Sequence, residues 1–257
     1  MIENKEGYVS HSIAESGIAT IEFQHPMSNS LPGAILRKLA ETVTELGNND
    51  AVKVIILTSA GEKAFCAGAS FDELISITTT EDGQRFFSGF AMVINAMRKC
   101  PKFVIARIQG KAVGGGVGLA SAADYAIALK GASIKLSELA VGIGPFVVGP
   151  AVERKMGLSA FSELSIDASS WRSCSWAREK GLYASVHETV AEMDEAILTL
   201  ATTLSKSSPE AMKDLKAVLW QGTEHWDELL ASRAGISGRL VLSDFAVNAI
   251  SAFKAKA

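Results

Sequence analysis

No uninterrupted apolar run in this 257-residue chain approaches the roughly 18–20 residues that a membrane span requires. The opening MIENKEGYVSH is polar and holds no signal-peptide stretch. Three cysteines, Cys66, Cys100 and Cys174, are odd in number and lack CxxC spacing, which argues against a disulfide framework or a zinc site. His11, His25, His187 and His225 are scattered without ligand spacing, so no metal is expected. There is no GxSxG, and Cys66 has no evident base beside it, so it reads as a small core residue. A formal net charge of −3 is too small for a protein that holds nucleic acid through its overall field. What remains, with 48% hydrophobic residues, is ample for a core. A soluble, cytoplasmic globular protein with neither membrane nor nucleic-acid partner is expected.

The first half alternates strand-like and helix-like segments. Tyr8–Ala14 and Ile18–Phe23 flank Glu15-Ser16-Gly17 and read as a hairpin. A helix follows, with Ser30 as cap, Pro32 in its first turn, Ile35, Leu39, Val43 and Leu46 on one face, and Gly47 as its stop. Val52–Leu57 and Phe103–Ile108 read as buried strands, separated by a helix with Phe86, Phe90, Val93 and Met97 on one side. That order predicts parallel pairing with helical crossovers. Another strand is expected around Tyr125–Leu129. Beyond residue 145 the strand signal fades, and helices are predicted at 146–166, 174–181, 189–206, 209–220 and 224–253, with a loop at 166–176. Lys206, Lys213 and Lys216 read as a solvated face, Trp220 and Trp226 as core or interface anchors.

Two glycine-containing stretches follow strands: Lys63–Ala69 (KAFCAGA) and Gly110–Gly116 (GKAVGGG). Small residues there let a ligand approach the main chain, and two N–H groups converging on one point would form an oxyanion hole. Ordinary tight-turn glycines are the alternative. Gly116-Val117-Gly118, with Glu138 downstream, also begins a loose dinucleotide-binding pattern. Its final glycine is replaced by Ser121.

Glu138 sits in an apolar stretch, Ile134 to Val148, with no other acid in it. Desolvation there would raise its pKa toward the range of a general base. The alternative is a solvent-facing glutamate at an element end. Phe86, Phe87, Phe90, Phe146 and Trp171 are candidates for an acyl tunnel or for plain core.

Taken together, these motifs resemble the enoyl-CoA hydratase/isomerase (crotonase) superfamily over most of the chain. Asn29-Ser30-Leu31 is similar to its Asn-Ala-Leu, KAFCAGA to its first loop, and Gly110–Gly116 to its second signature. Ala123-Asp124 is similar to its Cys-Asp pair, and Ala252-Phe253 to its C-terminal Ala-Phe. The resemblance implies an α/β fold, a spiral of ββα units over residues 1–190 with a C-terminal helical trimerisation region at 191–257. It implies a homotrimer or dimer of trimers, and an acyl-CoA thioester as substrate, with coenzyme A entering as part of the substrate and no separate cofactor. The N–H groups of Ala69 and Gly115 would hold the thioester oxygen and Glu138 would act as acid/base. Ala67, Gly68, Gly114, Gly116 and Phe146 would contact substrate.

Departures from the pattern bear on the reaction. Family hydratases carry one glutamate directly after the second glycine loop, where this chain has Gly118, and a second at the position of Glu138. Moving a double bond needs a single base that serves two carbons. The arrangement resembles the one-glutamate Δ3,Δ2-enoyl-CoA isomerases. Hydration, decarboxylation through the same enolate, and a catalytically silent CoA-binding oligomer are the alternatives. Ser169–Trp176 also departs from the family's short turn.

Overall fold

The computed structural model describes residues 6–254. Met1–Lys5 of the polar start, and the side chain of Phe253, lie outside the described residues. The chain folds as successive turns of a spiral. Each turn runs from a large sheet through a smaller sheet to a helix.

Strand β1 (Tyr8–Ile13) pairs antiparallel with β2 (Ile18–Gln24), forming the expected hairpin. β3 (Ser30–Leu31) leaves for a small sheet and α1 (Gly33–Asn48) returns. The second turn is β4 (Val54–Ser59), β5 (Ala64–Cys66), β6 (Gly68–Ala69), α2 (Phe71–Ser76) and α3 (Thr80–Lys99). The third is β7 (Phe103–Ile108), β8 (Lys111–Val113) and α4 (Gly115–Ala122). The fourth is β9 (Tyr125–Leu129), β10 (Ile134–Lys135), a 3₁₀ turn at Leu139–Val141, and α5 (Gly149–Ile166), kinked at Gly157. After α6 (Cys174–Glu179), β11 (Ser185–His187) completes a large sheet of order β1-β2-β4-β7-β9-β11. The smaller sheets run β10-β8-β5 and β3-β6.

Both faces of the large sheet are covered, which explains its unbroken apolar strands. Alternate residues Ile55, Leu57, Val104 and Ala106 face the core with α1 and α3. Val54, Ile56, Phe103 and Ile105 face the other way, onto Met193 and Ile197 of α7 (Val190–Ser205). α7 starts with a capping box of Thr189 and Glu192.

Several expectations are corrected. Ser30 lies in β3 and caps nothing; Pro32 is the N-cap of α1, without a side-chain bond. Gly47 lies inside that helix, which ends one residue later. β11 is a three-residue edge strand, too short to leave an alternating pattern. The single helix expected over 224–253 is two, α9 (Trp226–Leu240) and α10 (Asp244–Lys254). Lys216, on α8 (Pro209–Leu219), is not solvated: it is 2% exposed, pairs with Asp124 at 2.8 Å and donates to Lys102 O at 2.7 Å. Asp124 also accepts from Val104 N at 2.7 Å and from Trp220 Nε1 at 2.8 Å, so one carboxylate ties β7 to α8. Trp220 meets Trp226 edge to face.

The unusual Ser169–Trp176 stretch is held by Arg172, which pairs with Glu163 and Asp167 and bridges to Ile134. Trp171 is exposed, with the ammonium groups of Lys111 and Lys135 each about 5 Å from its ring centre. No described helix is long and apolar enough to cross a membrane.

Candidate active site

The first glycine stretch is pinned from both sides. Asn29, itself at φ 58°, donates to Ala60 O at 2.8 Å and Ala64 O at 3.0 Å, while Ser28 O accepts from Ala67 N. From below, Gln109 Nε2 donates to Ser59 O and Gly61 O, both at 3.1 Å. The loop is therefore set before any ligand arrives. β6 pairs with β3 in parallel, and Ser70 N donates to Leu31 O at 3.3 Å. Peptide groups alternate sides along a strand, so the Ala69 N–H points away from β3.

The second stretch comes to meet it. β8 ends at Gly114, whose φ of 52° and ψ of −112° lie in a region costly for any residue with a Cβ. Gly114 N is bonded to Lys135 O at 2.8 Å. Gly115 then opens α4, where its N–H has no acceptor within the helix. A Cβ on Gly68 would come within 3.7 Å of Gly115 N, so the two stretches converge.

Their meeting point opens into a cavity of about 80 Å³. Ala67, Gly68, Ala69, Gly114, Gly115 and Glu138 line it. Gly116 does not: a Cβ there would meet Cys66 O at 2.5 Å, so its expected substrate contact is replaced by backbone packing. The same packing overturns the dinucleotide pattern, because Gly116 and Gly118 are buried inside the core. Cys66 is core as expected, its thiol pushed up to about 12 by burial.

Glu138 enters from the 3₁₀ turn. Its carbonyl accepts from Val141 N at 3.2 Å and Ile143 N at 3.0 Å, which fixes the backbone. It makes no side-chain cap bond. The residue is half-buried overall, but its Oε2 is buried and without a hydrogen-bond partner. Burial pushes the carboxyl up to about 7. A carboxylate so placed can both take and return a proton near neutral pH.

The walls are apolar. Phe71 and Leu74 of α2, Phe87 and Phe90 of α3, and Phe146 with Val148 contribute most of them. The Phe90 ring fills the space a Cβ on Gly115 would need. Phe86 packs behind the wall against Val241 and Ile250, and Trp171 does not reach it. Patterning missed Val148, Val141 and Ser237, since each belongs to an element whose role there depends on how distant segments pack. Glu138 is the sole ionisable side chain lining the cavity among the described residues. Among those residues no three His, Cys, Asp or Glu side chains gather in a metal-holding group.

The sequence model of the enoyl-CoA hydratase/isomerase family matches residues 13–238. The chain belongs to that family. It is 32% identical over 211 residues to a peroxisomal Delta(3,5)-Delta(2,4)-dienoyl-CoA isomerase of Arabidopsis thaliana, covering 76% of this chain and 74% of that protein. A probable enoyl-CoA hydratase of Bacillus subtilis is 29% identical over 241 residues, with 93% of each chain covered. Among solved structures, an enoyl-CoA hydratase from Mycobacterium avium superposes with a TM-score of 0.82 at 26% identity, over 96% of each chain. One from Bacillus halodurans gives a TM-score of 0.87 at 21% identity, over 95% of this chain and 99% of that one.

The spiral of ββα turns is thus the crotonase fold, and the protein is an enzyme of that superfamily. Of the departures from the family pattern, Gly118 lies against the cavity wall: a Cβ there would meet Val148 Cγ1 at 2.5 Å.

Proposed function

We propose that the enzyme moves a double bond in an acyl-CoA thioester, converting a 3-enoyl to a 2-enoyl chain with Glu138 as the single acid/base. The observation that carries this reading is the lone carboxylate: no second ionisable group lines the cavity among the described residues. Val148 occupies the space beside Gly118, where family hydratases carry their other glutamate.

Glu138 takes the C2 proton, and the electron pair of that C–H bond passes into the thioester carbonyl, forming a dienolate. The N–H groups of Ala69 and Gly115 donate to its oxygen, where charge develops. The same carboxyl returns the proton at C4, and the C3=C4 bond becomes C2=C3. No water enters and none leaves. A substrate bringing a second carboxylate, as decarboxylation of a dicarboxylic thioester would, meets no cation in this cavity among the described residues. Assembly as a homotrimer or dimer of trimers belongs to the same reading; the exposed Leu215, Val218 and Leu219 of α8 are consistent with it, and sedimentation equilibrium checks it.

The test is a spectrophotometric assay of trans-3-enoyl-CoA and trans-2-enoyl-CoA, with wild type beside Glu138→Gln. Conversion of the 3-enoyl thioester, lost in the variant, is expected. Rapid loss of the 2-enoyl absorbance would instead assign hydration. Turnover of neither, with CoA thioesters still bound, would leave the silent oligomer.

A further inference from the structure

The cavity that holds Glu138 is small. Its volume of about 80 Å³ is roughly half that of a ~150 Å³ core cavity that admits benzene. At about 30 Å³ for a water-sized group, and a methylene is of similar size, it holds about three such groups.

Most of the wall is backed by solid packing and cannot widen cheaply. Val148 seats against Gly118 of α4, and Val147 is buried with it in the main core. Leu74 and Ile143 share a cluster with Phe86, Val241 and Ile250. α9, which brings Ser237 to the wall, crosses α3 at Gly83 and Gly238. A Cβ on Gly83 would meet Gly238 Cα at 2.7 Å, so these helices are in backbone contact there and are not free to part.

Phe146 is held differently. It lines the cavity yet joins none of the buried clusters among the described residues. A tight turn fixes it instead: Phe146 N donates to Gly144 O at 2.7 Å, and the ring lies 2.6 Å from where a Cβ on Gly144 would stand. The missing side chain of Gly144 is what lets the ring fold back over the turn. Because Phe146 is only half-buried, its bulk can be removed without emptying the core.

From the small volume, the backed walls and this folded-back ring, we infer that the enzyme takes short, open-chain acyl groups of about four to six carbons, and that Phe146 sets the limit. The carbonyl carbon and C2 must reach Gly115 and Glu138, which line this same cavity. They take up much of its room, and only a few further carbons fit beyond them. A ring is excluded by size. Four carbons is also the shortest chain that contains a C3=C4 bond. The inference rests on the acyl-CoA reading above, but not on which reaction follows binding.

Binding therefore tests it, with saturated thioesters that cannot react. Calorimetry would follow straight-chain acyl-CoAs from acetyl to decanoyl, using the full chain in its native assembly. Each methylene that enters the cavity should tighten binding about fourfold, with the tightest binding at butanoyl or hexanoyl. Overpacking should then weaken it about tenfold by decanoyl. Phe146→Ala opens space in the wall and should move the optimum up by about two carbons or more; Phe146→Leu should move it less. Thermal melts confirm that each variant is folded, and Phe146→Leu carries the comparison if the alanine variant does not fold. Affinity that still rises through decanoyl in wild type would overturn the inference. An optimum that stays in place in the folded variants would overturn the role of Phe146. Absence of binding to any acyl-CoA would instead defeat the broader reading, and the two failures are distinguishable.

Discussion

Glu138 Oε1 lies 2.8 Å from the point where a Cβ on Gly114 would stand. The carboxylate thus rests against bare backbone, one residue ahead of the Gly115 N–H. In the proposed mechanism a single glycine therefore places both the acid/base and one oxyanion donor.

Gly114→Ala should fold and yet lose most of its activity. The added methyl pushes against the carboxylate, and the positive φ adds strain of about 1–3 kcal/mol. Displacement of a reacting group by about 1 Å costs on the order of a hundredfold in rate. Steady-state kinetics on 3-enoyl-CoA, with circular dichroism as the folding control, would check this; unchanged kcat would contradict the placement.

Activity should rise with pH through about 7 and level off above it, because only the ionised Glu138 accepts a proton, and its carboxyl is raised to about 7 by burial. A profile of kcat/KM against pH reports this group in the free enzyme. A midpoint near the ordinary carboxylate range would mean that the site is wetter than its geometry indicates.

The same burial makes Glu138 a stability cost at neutral pH. Its folded-state pKa lies above the unfolded reference of 4.5, so the folded protein holds the proton longer. Stability present at low pH is lost as pH rises from that reference through about 7, by about 3 kcal/mol. Glu138→Gln does not titrate. Its Tm should exceed that of wild type by an amount that grows between about pH 5 and pH 8, while the proposed isomerase activity is lost.

Gly118→Glu should not create a hydratase. Its Cβ would collide with Val148 Cγ1, and overpacking of this kind costs about 1–3 kcal/mol. Trimming the neighbour as well, in Gly118→Glu/Val148→Ala, should recover much of that loss. Urea unfolding of the three variants, the single changes and the pair, would reveal the coupling.

Lys216→Met should destabilise the enzyme by about 3 kcal/mol, since it strips the buried Asp124 carboxylate of its ammonium partner. Chemical denaturation reads this directly. A change within a few tenths of a kcal/mol would mean that Val104 N and Trp220 Nε1 alone satisfy Asp124.

How much of this was legible beforehand depended on the range of the interaction. β7 matched its predicted bounds because both its faces are covered and it reads as one apolar run. Glu138 stood out because no other acid interrupts its stretch, and its carboxylate is indeed buried. Lys216 misled: helical spacing places it beside solvated lysines, and only the fold brings Asp124 to it. Ser237 gave no signal at all, because a serine in a polar-looking helix becomes a cavity wall only where Gly83 and Gly238 touch. Gly116 failed for a related reason, since a glycine that admits a ligand and one that admits a neighbouring carbonyl look alike in sequence.

The packing of α10 has a thermodynamic corollary. Phe245 fills the space above Gly142, and Ala246 and Ile250 share one cluster with Leu74 and Ile143 of the cavity walls. Docking of this last described helix and the shape of the cavity wall therefore rest on the same contacts. A ligand that binds the cavity more tightly when α10 is docked stabilises that docking by the same margin. Amide hydrogens of residues 244–252 should exchange more slowly when an acyl thioester is bound, although none of them touches it.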